Sequence, residues 1–246
     1  MTAIQTLALT KDYRGKRAVD GLDLCIRQGE VFALLGVNGA GKTTTIKMLC
    51  CLTRPTAGDA VIMGNSILTS PAAARAILSV SPQETAVAPN LTVRENLELI
   101  CGIYGNGRKT AREKAGRFLE EFSLRDVEKS KAKTLSGGWQ RRLSIAMALI
   151  SEPKILFLDE PTLGLDVLAR RELWRVIESL KGKITIILTT HYLEEAQALS
   201  DRIGIMARGK LVALGTDEEI MRQAGTHQFE DAFVALCGGG NQYEGR

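Results

Sequence analysis

The segment GVNGAGKTT, residues 36–44, constrains this chain more than any other. Gly36, Gly41, Lys42 and Thr43 fit the pattern G-x-x-x-x-G-K-[ST]. The apolar run VFALLG precedes the loop, and KTTTIKMLC, with helical spacing, follows it, so the loop joins a buried strand to a helix. In that setting the backbone N–H groups from Asn38 through Gly39 and Ala40 to Gly41 can curl around phosphate oxygens, and the helix N-terminus with Thr44 adds partial positive charge. Lys42 reaches the outer phosphates, and the Thr43 hydroxyl is available to Mg²⁺. A Gly-rich strand-to-helix turn without a ligand would also be glycine-rich, but it would not require the lysine.

Three more apolar runs share the length and continuity of VFALLG: ILSVSPQ (77–83), ILFLDE (155–160) and ITIILTTH (184–191). Continuous rather than alternating apolar residues predict strands buried on both faces of a parallel sheet. Ligands of open α/β sheets gather outside the carboxyl ends of the strands, so the four polar ends are expected to share one crevice. Asp159 is then placed to support Mg²⁺, and Glu160 to orient a water for attack on a γ-phosphate. Pro161 excludes the helical region for Glu160 and predicts an extended backbone there. Gln83, ending the second strand, can touch metal-bound water. His191, ending the fourth, is either a structural strand-end histidine or a second group at the crevice. Tyr13, in LTKDYRGKRAV, can stack on a purine or simply pack in a β-ribbon.

Residues 86–150 have a different character. TVRENLELICGIYG, TAREKAGRFLEEFSL and WQRRLSIAMALI carry helical spacing, which predicts a helical insertion between strands. The first 30 residues and GDAVIMGNSI (58–67) predict shorter antiparallel strands, and IGIMARGKLVALGT (203–216) a hairpin turning at Arg208-Gly209-Lys210. From about residue 220 the expectation is one short helix and a frayed, Gly-rich end.

The stretch LSGGWQRR (135–142) opens the third of those helices with two glycines, each costing about 1 kcal/mol relative to alanine in a helix interior. Ser136 as an N-cap with the glycines in a turn is one explanation. Close approach of a phosphate to the backbone is the other. Trp139 starts an apolar spacing with Leu143, Met147 and Ile150, which predicts packing.

Composition narrows the class. Hydrophobic residues make up 45% of the chain and charged residues 24%, as in a folded globular domain rather than a disordered one. The net charge of +4 comes from interspersed charges, so nucleic acid is not an expected partner. Five cysteines, an odd number without metal spacing, predict a reducing compartment, and Cys50-Cys51 is expected inside an apolar helix. No apolar run approaches the roughly 18 to 20 residues that span a bilayer, and the N-terminus lacks the plan of a signal peptide.

GVNGAGKTT, SVSPQ, LSGGWQ, ILFLDEP, LGLD and LTTH occur in the order in which they occur in the ATP-binding subunit of ABC transporters, and the chain resembles that family over about residues 3–220. The wording between the motifs is most similar to the ATPases paired with ABC-2 type permeases, a group of multidrug, antibiotic and sodium exporters. The resemblance implies an α/β fold with a P-loop NTPase (RecA-like) core, a mostly parallel sheet, an N-terminal antiparallel β-subdomain and an inserted α-helical subdomain. It divides a single domain into 1–85 and 151–220 (core with the β-subdomain), 86–150 (helical subdomain) and 221–246 (C-terminal helix and tail). It implies ATP and Mg²⁺ as cofactors, with adenine on Tyr13, phosphates on Gly36, Asn38, Gly39, Ala40, Gly41, Lys42, Thr43 and Thr44, and metal at Thr43, Gln83 and Asp159. Glu160 would be the general base, with His191 and Lys42 as the other catalytic groups, and Asp166 would sit at the subunit interface. Ser136, Gly137 and Gly138 would bind the γ-phosphate of ATP held by a second subunit of a head-to-tail dimer, expected to be a homodimer. The usual fifth signature residue is glutamine, whereas Trp139 stands there and Gln140 follows. A separate transmembrane permease would do the crossing, leaving this chain cytoplasmic and peripheral on the inner face of the membrane. An importer subunit remains an alternative. A non-transport ABC ATPase fits less well, because the segment between Lys42 and Leu135 is too short for a long coiled coil.

Overall fold

The computed structural model describes residues 1–238. The chain opens with β1 (Thr2–Tyr13), β2 (Lys16–Leu22) and β3 (Cys25–Arg27), then enters the phosphate loop from β4 (Val31–Leu35) and leaves it into α1 (Lys42–Leu49). β5 (Ala57–Ile62), β6 (Asn65–Ser66), α2 (Pro71–Ala76) and β7 (Leu78–Ser81) follow. Three helices come next, α3 (Val93–Ile103), α4 (Arg108–Glu121) and α5 (Gly137–Leu149). β8 (Ile155–Asp159), α6 (Val167–Leu180), β9 (Thr185–Thr190), α7 (Leu193–Leu199), β10 (Arg202–Ala207) and β11 (Lys210–Gly215) complete the sheet, and α8 (Asp217–Ala224) and α9 (Phe229–Cys237) close the described chain.

The larger sheet has the order β11-β10-β4-β9-β8-β7, and all its pairs are parallel except the β10–β11 hairpin. Every residue of β4, β8 and β9 is buried, which is why their sequences run apolar without alternation. The alternation exists, but it sorts side chains between two cores rather than between core and water. Val31, Ala33, Leu35, Leu156 and Leu158 join the layer built with α3 to α9, whereas Phe32, Leu34, Ile155 and Phe157 join α1 and the antiparallel strands. That second layer is covered by the sheet β2-β1-β5-β6, with β3 on β1. Phe157 is wholly buried in it. Phe157→Ala is expected to cost about 3–5 kcal/mol in urea unfolding; a loss under about 1 kcal/mol would contradict this packing.

The local ends follow from sequence. Thr92 and Glu95 form a reciprocal capping box at the start of α3, and Thr216 and Glu219 form another at α8. Glu30 accepts Nε of Arg202 at 2.6 Å while also taking the amide of Arg27 at 2.6 Å, fixing the turn into β4 against β10.

Some expectations change. β1 is twelve residues long rather than a short strand, and irregularities in its register let it pair with β2, β3 and β5 in turn. Cys50 and Cys51 do not lie inside a helix: Cys50 caps α1 and Cys51 sits at φ 55°, because the chain must turn sharply there. Two helices, not one, follow β11, with Gly225 at φ 70° ending the first. The expected frayed tail falls on residues 239–246, outside the described residues.

Candidate nucleotide site

β4, β8 and β9 are adjacent, and their register brings their carboxyl ends level: Leu35 pairs with Thr190, and Asp159 with Thr189. A cleft of about 440 Å³ opens over these ends. Its floor is the loop from Asn38 to Thr44; Tyr13 and Gln83 stand at its edges; Glu160 and His191 face it. Lys16, Ala18 and Leu163 also line it, contributed by β2 and by the segment after Pro161. Sequence reasoning did not single out those three, since nothing in their residue types signals a ligand.

Gly41 starts α1 at φ 111°, and a Cβ there would lie 2.5 Å from the Ala18 carbonyl, so only glycine lets the loop pass β2. Gly39, at φ 81°, is different. A Cβ on it would meet no protein atom within 4 Å and would project into free space over the loop. Gly36 lies beneath the loop and does not line the cleft; its carbonyl accepts Nζ of Lys42 at 2.7 Å.

Lys42 is buried, and its second partner is Oε1 of Glu160 at 3.4 Å. The other oxygen of Glu160 meets Nδ1 of His191 at 2.7 Å. With Nδ1–H donated to the carboxylate, Nε2 of a neutral ring is an acceptor; it becomes a donor toward the cleft only in the imidazolium. Asp159 lies below, buried; its Oδ1 accepts the Thr189 hydroxyl at 2.5 Å and stands 3.5 Å from that of Thr43. Thr189 also receives the amide of Glu160 on its hydroxyl and on its carbonyl, both at 3.1 Å. Thr189 therefore holds the Asp159 carboxylate and the Glu160 backbone together. The signal for it was present as two hydroxyls in a fully buried strand end, TTH.

Three sequence-derived placements are corrected. Gln83 does not end a strand: β7 stops at Ser81, and Gln83 lies exposed in the following loop, with its side chain at the cleft. Glu160 is not extended. Its φ is 49°, in the left-handed region, because the proline that follows excludes the right-handed helical region without excluding this one. His191 lies one residue beyond the end of β9. Tyr13 keeps its place, 44% exposed, with Nζ of Lys11 5.0 Å from its ring centre.

Ser136, Gly137 and Gly138 do not line this cleft. Ser136 occupies the N-cap position of α5 but makes no side-chain capping bond, so a cap does not explain it. The two glycines differ in their surroundings. A Cβ on Gly138 would lie 2.9 Å from Cβ of Ala169 in α6, so close helix packing by itself favours glycine there. Gly137 has only a Leu165 methyl carbon at 3.7 Å from such a Cβ, ordinary contact that demands no glycine. Asp166 caps α6 through the Ala169 amide at 2.9 Å. Trp139 packs on the main core with the Arg142 guanidinium 4.7 Å above its ring.

The sheet order and the phosphate loop define a P-loop ATPase. The chain belongs to the ABC transporter family, whose profile matches residues 19–163. It is 42% identical over 226 residues to the daunorubicin/doxorubicin resistance ATP-binding protein DrrA of Streptomyces peucetius, covering 92% of this chain and 68% of that one. It is 40% identical over 241 residues to the probable multidrug ABC transporter ATP-binding protein YbhF of Escherichia coli, covering 96% of this chain but only 42% of YbhF. Among solved structures, an ATP-binding subunit of an ABC transporter superposes with a TM-score of 0.84 at 31% identity, covering 96% of this chain and 99% of that one. The dimeric cassette MJ0796 bound to ADP and Pi superposes with a TM-score of 0.78 at 26% identity, over 87% and 98% of the two chains. The chain is accordingly an ATP-binding ATP hydrolase of this family.

Proposed function

We propose that two copies of this chain close head to tail over two ATP molecules and drive export through a separate ABC-2 type permease. The observation that carries this is a division of the machinery. Lys42, Glu160 and His191 converge on one cleft, while the helix start at Ser136, uncapped by its own side chain, lies outside it. Unpaired N–H groups at a helix start suit an anion, and a second copy can bring one. MJ0796 is described as a dimer, and DrrA and YbhF are named for drug resistance and multidrug transport, which supports the dimer and the export direction.

In this reading the loop amides and Lys42 hold the phosphates, and the open face above Gly39 leaves room for them. Tyr13 stacks on adenine. Glu160 takes a proton from the attacking water, held in place by Thr189 below and His191 beside it. Mg²⁺ would be held by the Thr43 hydroxyl and the Asp159 carboxylate, which stand 3.5 Å apart, with Gln83 reaching it through water. When bound, it supplies charge neutralisation on the phosphates. Residues 86–150 act as a helical subdomain that carries Ser136 toward the second copy. No described helix is long and apolar enough to cross a membrane. In this reading a separate permease makes the crossing and holds this chain at the inner face.

Complementation tests the arrangement. Lys42→Ala and Ser136→Arg should each abolish ATP hydrolysis alone. Mixed, they form heterodimers with one intact composite site, and phosphate release should return to a sizeable fraction of wild type. No recovery from stably mixed dimers would rule out the head-to-tail arrangement.

A further inference from the structure

Arg141 is 4% exposed, in a helix turn that begins five residues earlier at Ser136. Its guanidinium makes no side-chain ion pair within 4 Å among the described residues. It instead donates to three backbone carbonyls: Nη1 to Pro82 at 2.5 Å, and Nη2 to Gln83 at 2.6 Å and to Glu160 at 3.2 Å. The planar fork of an arginine suits such a set, since it presents several donors in fixed directions. Burial lowers its pKa, while the charges of Asp159 and Glu195 offset part of that cost. One turn further along α5, the Ser144 hydroxyl meets that of Ser81 at 3.1 Å, so the helix is seated on the end of β7 just where the Pro82-Gln83 loop departs.

The third contact is the informative one. The Glu160 peptide is held on its N–H side by Thr189 and on its carbonyl side by Arg141, and the residue between them has the unfavourable φ of 49°. A non-glycine residue in that region costs roughly 1–2 kcal/mol and persists only where its surroundings impose it. One arginine therefore ties three segments together: the helix led by Ser136, the loop carrying Gln83, and the backbone that aims the Glu160 carboxylate.

We propose that Arg141 is a positioning residue that couples the Ser136–Gly138 turn to Gln83 and Glu160 of the same chain, so that seating the turn on the second subunit's nucleotide aligns this subunit's own base. The proposal rests on the head-to-tail reading above. Its action is through the backbone of the two segments, without contact with the nucleotide.

The test uses the full chain and Arg141→Lys, which keeps a cation in the pocket but cannot reach three diverging carbonyls, with Arg141→Met as the harsher companion. Arg141→Lys is expected to stay folded, to bind ATP within about threefold of wild type, and to lose about tenfold or more in kcat with KM little changed. Arg141→Lys combined with Ser136→Ala should lower kcat no further than the worse single variant, because both interrupt one connection. A kcat for Arg141→Lys within twofold of wild type overturns the proposal. So does a multiplicative double variant, or a loss of kcat and ATP binding together in proportion to the folded fraction, which would mark a purely structural arginine. If Ser136→Ala itself leaves kcat at the wild-type value, it is the head-to-tail reading that falls; an effect of Ser136→Ala without one of Arg141→Lys removes the coupling alone.

Discussion

Glu160→Gln should bind ATP as tightly as the native chain and hydrolyse it about 10²–10⁴-fold more slowly, the range lost when a positioned general base is removed. The amide is nearly isosteric, and its oxygen can still accept from Nδ1–H of His191, which the carboxylate meets at 2.7 Å. What it lacks is the negative charge that stands 3.4 Å from Lys42 and the basic oxygen proposed to take the proton. Removing a carboxylate beside a polyphosphate also removes a repulsion, so nucleotide affinity should hold or rise slightly. With turnover blocked, ATP-bound dimers should accumulate and be visible by light scattering. Steady-state phosphate release within about threefold of wild type would sink the assignment of the base.

Lys42→Ala should fail one step earlier, at binding. The ammonium is buried, with the Gly36 carbonyl and the Glu160 carboxylate as its closest partners, so a phosphate that replaces them gains a charge-assisted bond in a poorly solvated place. Such a bond contributes about 1.5–3 kcal/mol, or roughly 10- to 150-fold in affinity. The loss should fall at the upper end, because the variant leaves Glu160 facing the polyphosphate without its cation. Titration with a fluorescent ATP analogue measures it, and Lys42→Ala combined with Glu160→Gln should recover part of the affinity. A dissociation constant within threefold of wild type would show that Lys42 does not reach the phosphates.

The core of the site was legible because its chemistry is local in sequence. Continuous apolar runs ending in GVNGAGKTT, LDEP and TTH place Asp159, Glu160 and His191 at or just beyond strand ends and Lys42 at the start of the helix after one, and burial on both faces explains the runs. The strand order was not legible, since β9 enters between β4 and β8 through contacts far apart in the chain. Glu160 was misjudged because the steric rule for a residue before proline excludes one backbone region and leaves two. Arg141 was missed because an arginine in WQRRLS looks solvent-facing; its partners are carbonyls, and nothing in a sequence records where main-chain oxygens converge. Gly138 carries a second demand that its motif does not announce: Ala169 of α6 leaves no room for a side chain there.

The left-handed backbone at Glu160 also bears on how this chain would respond to selection for heat resistance. Glycine there would release roughly 1–2 kcal/mol of conformational penalty, and asparagine a part of it. A screen that rewards thermal survival alone would therefore enrich replacements at the position proposed here as the general base, and stabilised variants of this ATPase should be sequenced at residue 160 before they are called improved.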